Sequence, residues 1–146
     1  MELVLAGSAA SPAPTPALAG PGERYVPGVC NISPAERARR RRYGWVAAIA
    51  ALAAGAVLVV IGAPHLLRLV VALPAAGSAV GFLQAHRHFC VAFAGRGVTD
   101  LTADGTLATV DAAAARKADR RASNRLLRDA VFIGLAVAAV FALSPI

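Results

Sequence analysis

The chain has 146 residues, 58% hydrophobic and 16% charged, with 15 Lys and Arg against 8 Asp and Glu, a net charge of +7 and 2 cysteines. Soluble domains average about 25% charged and roughly 45–50% apolar residues, so disorder over the whole length is excluded, and two cysteines cannot build a disulfide scaffold. The remaining reading is an all-α membrane protein: a transmembrane helical hairpin and a third transmembrane helix preceded by a basic cytoplasmic helix.

Residues 1–29 are rich in Pro, Ala, Gly and Ser and lack the basic start and long apolar core of a secretory signal. That composition predicts a disordered cytoplasmic tail. Ser33-Pro34-Ala35-Glu36 is a capping box with proline at the first helical position. It predicts a helix from Pro34 to about Ile61, beginning two turns before the bilayer. The arginines Arg37, Arg39, Arg40, Arg41 and Arg42 form a collar on that stalk.

A hydrocarbon core about 30 Å thick takes roughly 20 helical residues. Residues 43–63 carry no charge and meet this as a first span. The second span covers about 66–86 and contains Arg68, close to its start, and Pro74, which predicts a kink. Snorkelling to the outer headgroups is the ordinary role for such an arginine, and transport or gating is the sharper one. Gly77 and Gly81 in this span, with Ala47, Ala51 and Gly55 in the first, let helix backbones approach closely. These stripes serve either packing within the hairpin or a homodimer.

Residues 97–110 alternate loosely around Asp104-Gly105, a β-hairpin signal. From Asp111 the residues are strong helix formers, predicting one helix that runs through a basic cytoplasmic stretch, within residues 100–129, into a third span at 130–146. Arg120, Arg121, Arg125 and Arg128 are among the basic residues of that stretch. Fourteen of the fifteen basic residues precede the first span or lie between the second and third. The positive-inside rule then sets the N-terminus in the cytoplasm and the C-terminus outside an inner or plasma membrane. Both arginine groups are expected against anionic headgroups. Nucleic acid is not an expected partner, since no basic face with stacking aromatics is present.

The reactive side chains near the basic end are Cys30, His86, His88 and Cys90. Pairing by equal depth across the hairpin sets Cys90 level with Arg37 and Cys30 near Gly97, with the thiols about 10 Å apart. A thiolate beside Arg37 or Arg87 would suit persulfide carriage or redox sensing. On a helix only His86 and Cys90 share a face, so a metal is not expected, nor is a cofactor or an enzymatic activity.

Asn31, Ile32, Glu36, Arg37, Arg40 and Gly44 follow an N-[VI]-G-x-x-[DE]-R-x-x-R-x-x-x-G pattern. Cys90, Phe93, Gly97 and Val98 are similar to C-P-x-Y-x-x-x-G-[IV]. Together they resemble the YgaP-like transmembrane domain family over roughly residues 30–99, with Ser33, Val91 and Phe93 as departures. The resemblance implies a membrane-anchored two-helix module, dimerisation, and a connection with sulfur or thiol handling. No counterpart of the rhodanese domain sometimes fused to this module is expected. The expected function is a structural, assembly or accessory role in the membrane, as a homo-oligomer or complex subunit. The alternative is a thiol-active module working through Cys90 and Cys30.

Overall fold

The computed structural model describes residues 24–102 and 105–144. Most of the expected tail, Asp104 of the hairpin turn and the last two residues of the expected third span lie outside them.

Among the described residues, three helical segments are long and apolar enough to cross a membrane: Pro34–Val60, His65–His86 and Ala113–Leu143. The first, α1 (Pro34–Val60), begins where the capping box predicts, with the Glu36 amide donating to Ser33 Oγ at 3.4 Å. After a turn comes α2 (His65–Arg68), a 3-10 turn at Leu69–Val71, and α3 (Ala72–His86). The 3-10 turn lies just before Pro74. Pro74 has no N–H to offer the carbonyl four residues back, and that carbonyl belongs to Val70, the middle residue of the turn.

Short elements follow: α4 (Val91–Arg96), β1 (Val98–Asp100) and β2 (Leu107–Thr109), then α5 (Ala113–Leu143). The strands pair antiparallel with Val98 opposite Thr109, so the molecule is mainly helical but not all-α. At 1.5 Å per residue α5 is about 46 Å long. Its surplus over a bilayer is the basic stretch.

Helix α3 is the central element. Against α1 the approach is so close that a Cβ on Gly81 would lie 2.7 Å from the Gly44 nitrogen and 2.9 Å from the Arg40 carbonyl oxygen. Against α5 the corresponding point is Gly134, where a Cβ would meet the Ala72 carbonyl oxygen at 2.8 Å. Ala51, Val71 and Ala75 form one small core, flanked by Leu58, Val137 and Phe141. Phe89, Ala94 and Leu126 form another nearer the basic end. Outside these contacts, large apolar side chains such as Trp45, Val46, Ile49, Leu52, Leu73 and Phe132 are exposed. That is far more than a water-solvated surface of this size carries.

Arg68 does not snorkel. It is fully buried, donating through Nε to the Ala63 carbonyl at 2.8 Å and through Nη1 to the carbonyls of Ser144 at 3.0 Å and Phe141 at 3.4 Å. His65 Nδ1 donates to the Ala142 carbonyl. The carbonyls in the last turn of a helix have no partner within it, and in a low-dielectric surrounding that is costly. Arg68 and His65 supply the missing donors from the neighbouring segment.

The close approaches separate the two members of the GxxxG. Gly81→Leu forces two backbones apart and is expected to cost about 1–3 kcal/mol or more. Gly77 is exposed, with only the Ala47 Cβ near, at 4.0 Å, so Gly77→Leu is expected to leave the fold intact. Thermal unfolding of both variants in detergent, followed by circular dichroism, checks the contrast.

Candidate functional site

At the basic end the chain closes on Asn31. Its side-chain Nδ2 donates to the Cys90 carbonyl at 3.1 Å, and its Oδ1 accepts from the Cys90 amide at 2.6 Å. Its own amide donates to the His88 carbonyl at 3.1 Å, and its carbonyl accepts from the Asp100 amide at 3.0 Å. One fully buried residue thus joins the approach to α1, the turn after α3, the entry to α4 and the end of β1. The adjacent Ile32 bridges Asp100 in parallel.

That closure shapes the turn. His88 is held at φ +54, a left-handed conformation uncommon for a residue with a side chain. Its Nε2 lies 2.7 Å from Arg37 Nη1. A guanidinium only donates, so Nε2 is the acceptor and the ring proton sits on Nδ1. Glu36, nearly buried, receives Arg39 at 3.0 Å and Arg40 at 2.9 Å. Arg40 also lies over the Phe93 ring at 5.7 Å. Residues of the two sequence patterns therefore meet: Asn31 with Cys90, and Glu36 through Arg40 with Phe93.

The segment before Asn31 is structured rather than a tail, at least from Val26, whose amide and carbonyl bond to Cys30. It is tied to α5 through Asp119, a fully buried carboxylate that accepts from Tyr25 Oη at 2.8 Å and the Gly28 amide at 2.6 Å. Glycine is required at position 28: φ is +72, and a Cβ would lie 3.2 Å from the Ala118 carbonyl oxygen. Burial, the hydrogen bond to Asp119 and that carboxylate's charge together push the Tyr25 phenol above the usual tyrosine range. Asp119 is the one acid inside the run Ala112–Arg121, and that isolation is the only local hint of its role.

The candidate thiols are placed differently from expectation. Cys90 is fully buried, its peptide gripped by Asn31, while Cys30 is half-buried on the neighbouring turn. Arg37 meets His88 rather than Cys90. Because α3 stops at His86 and Cys90 is extended, His86 and Cys90 do not share a helix. Among the described residues no three His, Cys, Asp or Glu side chains converge as metal ligands. Of the small residues, Ala51, Gly55 and Gly81 are buried between helices, Ala47 is half-buried, and Gly77 faces outward. Arg39, Arg41, Arg42, Arg120, Arg121, Arg125 and Arg128 are exposed. A cationic cleft flanks the closure on each side, one between α1 and α3, the other between α3 and α5 where Arg87 pairs with Asp129 at 2.8 Å.

Comparison with protein-family models, with curated proteins and with solved structures finds no match for this chain.

Asn31→Ala strands the Cys90 N–H, at an expected cost of about 1–3 kcal/mol, while the Cys90 carbonyl keeps the Ala94 amide at 3.1 Å. In a Cys30→Ser background, maleimide labelling of Cys90 is expected only on unfolding, and Asn31→Ala should accelerate it. Alkali tests the second tether. A phenol whose folded-state pKa is raised contributes in full below its unfolded value, about 10, and the contribution is lost as pH rises through the folded range. Absorbance titration should show a late-ionising tyrosine that Tyr25→Phe abolishes.

Proposed function

We propose that the chain is a multi-pass protein of an inner or plasma membrane with a structural, assembly or accessory role, N-terminus and basic cap in the cytoplasm and C-terminus outside. The observation that carries this reading is the closure at Asn31. Buried polar groups at the basic end hold segments together: Asn31 with Cys90, Glu36 with two arginines, Asp119 with Tyr25 and Gly28. What remains outward is hydrocarbon over the spans and guanidinium around the cap, surfaces suited to contact with lipid and other proteins. The arginine distribution supports the orientation.

Self-association, if the small-residue stripe serves it, falls to the outward face of α3 around Gly77 and Leu73, because Gly81, Ala51 and Gly55 pack within the chain. The buried state of Cys90 weighs against the thiol-active alternative. The kinship suggested by the two sequence patterns draws support from their residues meeting in one closure, and it makes the hairpin the module and α5 an addition to it.

Two measurements test the reading. Reporter fusions at the two ends should report opposite compartments, and the same compartment for both would sink the three-span topology. Crosslinking in native membranes should yield a self-adduct that Gly77→Leu abolishes, or an adduct with another membrane protein. A wholly monomeric, uncrosslinked chain would remove the accessory role.

A further inference from the structure

The cleft between the first turns of α1 and the end of α3 has a volume of about 660 Å3 and is lined by Arg37, Arg41, His86 and His88 over Phe82 and Ala85. Its walls present two guanidinium groups and two imidazole rings, and no carboxylate lines it. The nearest acid on α1, Glu36, is already held between Arg39 and Arg40. Arg37 is oriented by its bond to His88, and Arg41 stands one helical turn further along the same face. Among the described residues, the Arg41 and His86 side chains make no hydrogen bond or ion pair. The floor is apolar, and its Phe82 ring meets Trp45 edge-to-face at 5.2 Å. Tryptophan concentrates at headgroup level in membrane proteins, so Trp45 marks the depth at which the cleft opens. Hydrocarbon below and paired cationic donors above match one chemical object, a phosphate group at the bilayer surface.

We propose that this cleft is a phosphate-binding site, contacted by Arg41 and His86 with Arg37 positioned behind them, and that an anionic phospholipid headgroup is the source its depth favours. The proposal rests on the membrane reading above and deepens it. Arg42 and the exposed arginines of α5 meet lipid diffusely, whereas this cleft retains one headgroup.

The test uses the full chain in phosphatidylcholine nanodiscs with and without phosphatidylglycerol, followed by native mass spectrometry of retained lipid. Wild type should retain phosphatidylglycerol selectively. Arg41→Gln with His86→Gln should lose about tenfold or more in retention, the effect of one charged hydrogen bond or more. Both residues are exposed, so the double variant should fold. Arg42→Gln, which removes the same formal charge one position away, should retain lipid as wild type does. Equal losses in both variants, or no selective retention by wild type, would overturn a lipid site. Titration with inorganic phosphate in micelles distinguishes the sources. Saturable phosphate binding that only the double variant loses, without lipid retention, assigns the cleft to free phosphate. No saturable binding in either arm overturns the proposal. A chain that never enters phosphatidylcholine discs would refute the membrane reading instead, and the micellar titration would still decide the cleft.

Discussion

A single carboxamide laid against the backbone N–H and C=O of one residue organises the basic end of this molecule. Asn31 matches the Cys90 peptide donor to acceptor and acceptor to donor, a neutral pair that needs no counter-ion. In an interior of low dielectric such bonds are strong when complete and costly when broken. Because the Asn31 backbone is also bonded on both sides, the register of α1 against the turn after α3 cannot slip without stranding several groups together. The left-handed His88, the extended Cys90 that opens α4, and the bridge from Ile32 to the hairpin follow from that one alignment.

The spans are held by a different principle. In a bilayer, whose tails would be as apolar as these side chains, helices would gain little from hiding hydrocarbon and must gain from proximity. Gly81 against Gly44 and Gly134 against the first turn of α3 bring backbones into direct contact on two sides of one helix. Where the spans end away from the arginine collar, contact alone does not suffice. Arg68 supplies hydrogen bonds there that the carbonyls of α5 would otherwise lack.

Local signals in the sequence carried much of this. The cap at Ser33, the uninterrupted apolar runs, the Pro74 irregularity and the alternation of the hairpin strands each act within a few residues, where propensity decides. The partners of Asn31, Asp119 and Arg68 lie 59, 94 and 76 positions away, and no periodicity encodes such distances. Asn31 was visible as a pattern residue without its role, and Arg68 as a charge expected to snorkel outward, whereas it turns inward onto the carbonyls at the end of α5. Gly77 and Gly81 share a nominal face, yet one is exposed and the other buried, because Gly81 lies directly against the backbone of Gly44 and Arg40 whereas Gly77 has only the Ala47 methyl near it. Burial of Cys90, likewise, is a property of the closure around it and not of its neighbours in sequence.

Helix α5 runs unbroken for 31 residues and is fastened near both extremities, to Tyr25 and Gly28 through Asp119 and to Arg68 and His65 through its final carbonyls. A rod gripped at both tips transmits force instead of absorbing it. The amino-terminal strap and the loop joining α1 and α2 are therefore linked through one strut, with about 35 Å of helix between Asp119 and Ala142.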